Sequence, residues 1–207
     1  MLLNSQLIDE SDVAAQPVPA TQVLGLKPLH YRTVLAQAGK INHPNNGYHS
    51  QGFSGNLGKY QFNSVNLELL GYLKKGSVVK QQSQAGANAL VINEAANWRG
   101  KNGSNSASDF LINGGEQEAA IQALWQYNVN WLTNNTSFFA ASKTGFQVGF
   151  LLVAQIAGVQ AVVNFNDFLL GRNVNGNVAD YTGRFTLLDY FQAGQLASDF
   201  GASVQIA

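Results

Sequence analysis

The sequence predicts a mainly α-helical single domain preceded by an extended N-terminal arm. Apolar residues recur at helical spacing in several segments, whereas the strict alternation of apolar and polar residues that is typical of β-hairpins is missing. The length of 207 residues fits one domain of about 100 to 200 residues with tails. We therefore expect the arm over residues 1–27, the α-domain over residues 28–191, and a C-terminal helix end and tail over residues 192–207.

The arm is predicted from its prolines. Pro17, Pro19 and Pro28 restrict the backbone and push the residues before them toward extended conformations. Residues 1–12 lack the basic region and the continuous apolar region of a signal peptide, so we expect no secretion signal in them. We expect the arm to be either disordered or ordered by a neighbouring subunit, since folding on a partner is a common way to join chains.

Helical spacing predicts six helices in the domain. Gly39 supplies a natural stop after the first helix, and Gly76 follows the second. In chain order, the predicted helices cover residues 29–38, 63–73, 87–98, 116–131, 146–163 and 187–200.

The helix over residues 116–131 has the clearest pattern. Ala120, Leu124, Tyr127 and Trp131 form one predicted apolar stripe along it. The second helix has a similar stripe of Val65, Leu69 and Tyr72, with Leu67 and Leu70 at helical spacing beside it. Between these two helices, Ser106, Ser108 and Asp109 are expected to satisfy free backbone N–H groups at helix starts.

The run over residues 146–163 is predicted to be a central helix buried inside the domain. It has the length of a short membrane span, but Gln147, Gln155 and Gln160 interrupt it, and glutamine is costly in lipid. We therefore expect no membrane span. After it, residues 173–176 are expected to form a turn with Gly176 at positive φ.

The composition excludes several classes of site. Basic and acidic residues number twelve each, and charged residues make up 12 % of the chain, well below the roughly 25 % of an average soluble protein. A neutral chain does not predict nucleic-acid binding. Without cysteine there are neither disulfides nor thiolate zinc sites, and His30, His43 and His49 lack the carboxylate or thiol that would complete a metal site. We expect no cofactor.

Four sequence blocks, in one order, carry a resemblance to a known family. The first is Gly58-Lys59-Tyr60-Gln61-Phe62, called the signature loop below, followed by Gly71-Tyr72. The other three blocks follow it in the chain: residues 98–103 leading to Asp109-Phe110-Leu111, residues 113–120, and residues 173–176 with Asp180-Tyr181 and Arg184-Phe185. Together they resemble phage and bacterial peptidoglycan hydrolases with a lysozyme-like fold.

The resemblance implies a lysozyme-like single domain and a glycan-binding cleft. Lys59, Tyr60, Gln61 and Trp98 are the candidate glycan-binding residues, with Tyr60 and Gln61 stacking on and hydrogen-bonding N-acetyl sugars. The alternative is that Tyr60 and Phe62 anchor the loop to the core. Both can hold at once.

The catalytic acid of that family is missing from its expected place. No Asp or Glu occurs between Asp12 and Glu68, and the segment equivalent to the family's catalytic glutamate, residues 35–42, has Ala38 or Gly39 at that position. Lysozyme-type cleavage needs a carboxylic acid that protonates the leaving oxygen. General acid catalysis is typically worth about 100 to 10,000-fold in rate, so we expect no useful turnover.

The remaining carboxylates offer weak substitutes. Glu68 is the nearest one after the signature loop and is the catalytic candidate only if the protein is active; the alternative is a solvated helix glutamate. Glu94, Glu116 and Glu118 are predicted to be surface charges or charges at a helix N-terminus, where Glu116 interacts favourably with the helix dipole.

The sequence therefore predicts a lysozyme-like domain without hydrolytic activity. It would serve in a virion as a structural or cell-wall-docking component of a phage tail or baseplate, joined to other subunits through its arm. The alternative is an active peptidoglycan hydrolase that uses Glu68 or an acid from a partner subunit. A third hypothesis is a module that binds wall glycan through Tyr60 without cutting it.

Overall fold

The computed structural model describes residues 23, 28, 47–52, 54–81, 86–180 and 183–199. The described part is mainly helical, and its β-structure consists of isolated bridges. We number its α-helices in chain order: α1 (Ser64–Leu69), α2 (Ala87–Asn93), α3 (Ala107–Ile112), α4 (Gly114–Asn135), α5 (Phe138–Ala141), α6 (Thr144–Ala157), α7 (Val159–Leu169) and α8 (Leu187–Asp199). Short 3-10 turns lie at Val79–Gln81 and Ala95–Asn97.

Helix α6 forms the centre of the core. Every residue from 148 to 155 is buried, and α4, α7 and α8 pack around it. Gly149 and Gly194 lie so close that a Cβ atom added at Gly194 would come within 2.8 Å of the Gly149 Cα. Two glycines therefore let α6 and α8 cross in close contact, which explains why a nearly apolar helix tolerates a glycine in its middle.

The predicted single helix over residues 146–163 is wrong. Gly158 has φ 83° and ψ 162°, which ends α6 and starts α7. This backbone region is essentially restricted to glycine. The continuous apolar run concealed a break because hydrophobicity records burial, whereas one residue sets the direction of the chain. No helix among the described residues is both long and apolar enough to cross a membrane.

Helix α4 confirms the predicted helix and extends it at both ends. Asn113 caps it, with its side-chain oxygen accepting the Glu116 N–H at 3.0 Å. The predicted stripe is partly wrong, because Tyr127 is 39 % exposed. The buried face includes Trp125, Asn128 and Leu132, so the stripe is rotated by about one residue from the sequence-based register.

The predicted helix over residues 63–73 is shorter in the structure and buries another face. Helix α1 ends at Leu69, and Asn63 caps it by accepting the Asn66 N–H at 2.8 Å. Val65 and Leu69 are exposed, whereas Leu67 is fully buried. The register prediction for Val65 and Leu69 is therefore wrong.

The segment after α1 forms a short antiparallel ribbon with the segment after α2. Leu73 and Trp98 make a bridge, with the Lys74 N–H donating to the Asn97 carbonyl at 2.7 Å and the Arg99 N–H donating to the Tyr72 carbonyl at 2.9 Å. The predicted helix over residues 87–98 therefore stops at Asn93.

Three further expectations concern caps, a turn and the last helix. Ser106 caps α3 by accepting the Asp109 N–H at 3.2 Å, as predicted. Gly176 is not at positive φ, so that prediction is wrong; the residue must be small because a Cβ atom would overlap with the Asn164 carbonyl oxygen. Helix α8 confirms the last predicted helix.

Part of the expectations falls outside the described residues. These are the helix over residues 29–38, the segment over residues 35–42 where an acid is expected in the family, and His30 and His43. Of the predicted arm, the structure describes Val23, which is 1 % exposed and belongs to the hydrophobic core.

Candidate functional site

The signature loop is held by its own backbone and by α4. The Leu57 and Phe62 backbones exchange two hydrogen bonds of 2.9 Å, which close the loop. Gly58 has φ 69°, and a Cβ atom there would overlap with the Gln117 side-chain amide. A glycine is therefore required at this position both by the backbone conformation and by the close approach of α4.

Gln117 connects three segments to the start of α4. Its Oε1 accepts the Lys59 N–H at 3.0 Å, and its Nε2 donates to the carbonyls of Tyr48 at 2.9 Å and Phe110 at 3.0 Å. The residue is completely buried. A buried amide with these partners fixes the position of the signature loop on the helix.

Glu118 lies at the centre of a polar cluster. Its Oε1 accepts the Tyr48 hydroxyl at 2.5 Å and the Lys59 ammonium at 3.0 Å, and its Oε2 accepts the Tyr60 hydroxyl at 2.7 Å. Lys59 Nζ also lies 5.0 Å from the centre of the Tyr48 ring. We call Tyr48, Lys59, Tyr60 and Glu118 the Glu118 cluster.

Glu116, two residues before Glu118 on α4, has its own partners. The Tyr72 hydroxyl donates to Glu116 Oε1, and Asn102 Nδ2 donates to the same oxygen at 2.8 Å. Lys101 lies over the Tyr72 ring, with 4.5 Å between Nζ and the ring centre, and donates to the Leu70 carbonyl at 2.7 Å.

The prediction that Glu116 and Glu118 are surface charges is therefore wrong. Their exposures are 9 % and 8 %. Glu116 does lie in the first turn of α4, as predicted, where its charge interacts favourably with the helix dipole.

The phenols in these clusters are held in their protonated form. Burial, together with the charge of and the hydrogen bond to Glu118, raises the pKa of Tyr48 and of Tyr60 well above the ordinary value of 10.0. Burial and the hydrogen bond to Glu116 raise the pKa of Tyr72 in the same way. These tyrosines therefore act as hydrogen-bond donors to carboxylates at neutral pH and do not act as bases.

Glu68 fixes a turn of the main chain. Its two oxygens accept the N–H groups of Gly76 at 2.9 Å and Val78 at 2.8 Å. Glu68 therefore holds this loop, since backbone N–H groups already occupy both of its carboxylate oxygens.

Each other carboxylate whose side chain the structure describes is also bonded within the protein. Glu94 is exposed and accepts the Ala96 N–H, and Asp109 accepts the Asn105 N–H. The other three bind a hydroxyl or a cation: Asp180 accepts from Tyr190, Asp189 accepts from Thr186, and Asp167 pairs with Arg172.

The structure places the candidate glycan-binding residues beside the core. Tyr60 and Trp98 are each 5 % exposed and Gln61 is 4 % exposed, whereas the Lys59 side chain is 29 % exposed. Trp98 Nε1 donates to the Ile92 carbonyl at 2.8 Å. Tyr60 and Phe62 anchor the loop, as the alternative interpretation states. Glycan binding at these four residues stays a prediction.

Gln61 is the one residue of the signature loop with an unusual backbone. Its φ is 52°, which is uncommon for a residue other than glycine. Its Nε2 donates to the Gly58 carbonyl at 2.8 Å, while its buried Oε1 has no hydrogen-bond partner. The residue thus holds the turn from inside the loop.

Gln155, in the middle of α6, links the signature loop to the central helix. It donates to the Tyr60 carbonyl at 3.3 Å and accepts the Trp125 indole N–H at 3.0 Å. The glutamine that makes this helix costly in lipid is therefore a bonded core residue.

A separate pocket of about 350 Å³ lies between α1, α2 and the end of α6. Asn63, Asn88 and Asp180 are polar residues of its lining. Asp180 accepts the Tyr190 hydroxyl at 2.6 Å, and Asn88 bonds the Ser64 N–H and the Ser54 carbonyl. The side chains of Asn88 and Asp180 thus already have partners within the protein.

Comparisons with known proteins gave no match among protein-family models, curated proteins or solved structures. Within the described ranges, no group of three or more histidine, aspartate or glutamate side chains is placed to hold a metal ion.

Sequence reasoning found the signature loop but missed its partners. Tyr48, Tyr72 and Asn102 were not predicted as partners of the buried glutamates, since their contacts with α4 join segments that are distant in the sequence. The available signal was Asn113-Gly114-Gly115 before two glutamates: Gly114 makes room for the Tyr48 ring, whose nearest atoms lie 3.2 Å from where a Cβ would be.

Proposed function

We propose that this chain is a lysozyme-like domain without hydrolytic activity that serves as a structural or cell-wall-docking component of a phage tail or baseplate. The observation that carries the loss of activity is the bonding of its carboxylates. Each carboxylate whose side chain the structure describes, at residues 68–189, binds a backbone amide, a hydroxyl or a cation. A general acid must instead be protonated and directed at the leaving oxygen.

The Glu118 cluster supports this proposal most directly. In a hydrolase the polar groups of a cleft remain available to substrate. Here Lys59 and Tyr60 of the signature loop are bonded to Glu118 from the inside. In this proposal the signature loop serves to attach its own segment to α4 through hydrogen bonds to Glu118.

Location in a virion and attachment to other subunits rest on the resemblance and on the composition. The low content of charged residues suits a surface that is buried in an assembly. The predicted arm over residues 1–27 would join neighbouring subunits, with Val23 in the core as its attachment to the domain.

Digestion of purified sacculi tests the proposal. We expect the full chain to release no soluble muropeptides. If products appear, Glu68→Gln and Glu118→Gln identify the acid: loss of release in Glu68→Gln alone would establish the active hydrolase with Glu68 as its acid. Glu94→Gln, at an exposed carboxylate on a turn, is the matched control.

A further inference from the structure

The neutral chain separates its charges along the sequence. Residues 59–101 contain six of the basic residues and two of the acidic ones, a local net charge of +4. Residues 102–207 contain three basic and seven acidic residues, a local net charge of −4. The zero net charge therefore conceals a basic segment. The fold determines whether its cations form ion pairs with the carboxylates of the acidic segment.

The fold leaves four of these cations exposed in two segments that one backbone bridge joins. Lys74 and Arg99 flank the bridge between Leu73 and Trp98, and they are exposed while the two bridge residues are buried. The two bridge residues therefore lie in the core, while the cation that follows each of them along the chain is exposed.

The next two cations follow in a compact turn. The Ser77 N–H donates to the Lys74 carbonyl at 3.1 Å, and the Lys80 N–H donates to the Gly76 carbonyl at 3.4 Å. These bonds keep Lys75 and Lys80, both exposed, beside the ribbon. We call Lys74, Lys75, Lys80 and Arg99 the cationic ribbon.

The carboxylates closest in sequence do not pair with the cationic ribbon. Glu68 uses its two oxygens on the amides of Gly76 and Val78, and Glu94 binds the Ala96 amide. Lys59 pairs with Glu118, and Arg172 pairs with Asp167. Lys74 donates to the Ala96 carbonyl, which carries no full charge.

The aromatic rings of the same two segments indicate which kind of polyanion the cationic ribbon suits. Proteins that bind single-stranded nucleic acid combine cations with aromatic rings on which bases stack. The two rings of the bridged segments, Tyr72 and Trp98, are 1 % and 5 % exposed. In the part of the chain that the structure describes, these segments therefore offer charge to a phosphodiester backbone and no exposed ring on which bases could stack.

We propose that the cationic ribbon binds a linear phosphodiester polymer without bases, of the poly(glycerol phosphate) type found in cell walls. This inference rests on the proposed wall-docking function and names its ligand. Four contacts with a flexible polyanion release counterions, so raising the salt concentration from about 50 to about 200 mM weakens binding roughly 50-fold.

The test is fluorescence anisotropy of labelled poly(glycerol phosphate) with the full chain at the two salt concentrations. Lys75→Gln/Lys80→Gln removes two contacts at residues without a side-chain bond in the described structure, so the salt effect should fall to roughly 7-fold. Lys143→Gln/Arg172→Gln removes the same charge elsewhere on the surface and should leave binding unchanged.

Three outcomes would overturn the inference: no binding at low salt, equal loss in both double variants, or tighter binding to single-stranded DNA of equal charge. The assay does not depend on hydrolysis. If the chain releases muropeptides and still binds the polymer, the proposed loss of hydrolytic activity is refuted and the polymer-binding proposal stands. If it releases no muropeptides and does not bind the polymer, the polymer-binding proposal is refuted and the proposed loss of activity stands.

Discussion

Glu118 is the residue on which the signature loop depends most. Three donors from outside α4 converge on its carboxylate, and it is 8 % exposed. Removing one partner of a buried, hydrogen-bonded charge leaves the others unsatisfied, and this cost exceeds the net value of the interaction.

We expect Glu118→Gln to lower the free energy of unfolding by about 2 to 4 kcal/mol. The amide keeps the shape but loses the charge that Lys59 faces and presents one donor to the phenols. Urea denaturation measures the change as a lower midpoint with an unchanged slope.

Glu94→Gln is the control for this substitution, because Glu94 is exposed and binds one amide at 3.3 Å. Its effect should stay within about 0.5 kcal/mol. Equal losses in both variants would show that the Glu118 cluster has no special role in stability.

The phenols of Tyr48, Tyr60 and Tyr72 predict how stability depends on pH. Their pKa values are raised in the folded protein above the ordinary 10.0, so the folded state holds protons that the unfolded chain releases. Their contribution is fully present below pH 10.0 and is lost as the pH rises from there toward the folded values.

A spectroscopic titration of phenolate checks this expectation. In the folded protein, phenolate absorbance should develop at higher pH than in the same chain denatured in urea. Coincident titrations of the folded and denatured chains would contradict the buried carboxylate–phenol bonds.

At the scale of elements, the sequence predicted the helices better than their buried faces. Helices α4 and α8 were predicted because long periodic segments have many apolar residues that agree on one face. Helix α1 is six residues long, too short for periodicity to fix its register, so Val65 and Leu69 were assigned to the wrong side. Tyr127 was assigned to the stripe because an amphipathic ring fits either environment.

The break at Gly158 could not be predicted from hydrophobicity. Glycine is permitted inside a helix, as Gly149 shows, and only the backbone conformation distinguishes the two positions. We expect Gly158→Ala to destabilise the fold by about 1 to 3 kcal/mol, because φ 83° with ψ 162° is strained for a residue with a Cβ.

Ala157→Gly, one residue earlier, is the matched control for thermal unfolding. It should cost no more than about 1 kcal/mol from helix propensity. Higher stability in Gly158→Ala, with increased helical circular dichroism, would mean that α6 and α7 prefer to join.

At the scale of the whole molecule, the candidate site was predictable only in part. The signature loop was visible because Gly58-Lys59-Tyr60-Gln61-Phe62 is contiguous in the sequence. The cluster that binds it was not, since Glu118 lies 58 residues from Tyr60 and 70 residues from Tyr48 along the chain. Burial of Glu116 and Glu118 depends on these distant partners, which a helical pattern does not record.

The cationic ribbon was also not predictable, because its residues come from two segments that are separated in the sequence. A net charge of zero does not predict nucleic-acid binding, but net charge is a sum over the chain and contains no information on position. The ribbon between Leu73 and Trp98 gathers cations from two segments, and the fold keeps the nearby carboxylates occupied with backbone amides.

Release of muropeptides from purified sacculi, measured against an active muramidase at equal molar concentration, tests the loss of activity most directly. Because general acid catalysis contributes about 100 to 10,000-fold, we predict a release rate at least about 100-fold below that of the muramidase and equal to that of a protein-free blank. Release within about tenfold of the muramidase by the purified chain alone would show that a proton donor operates in this protein, and it would contradict the account.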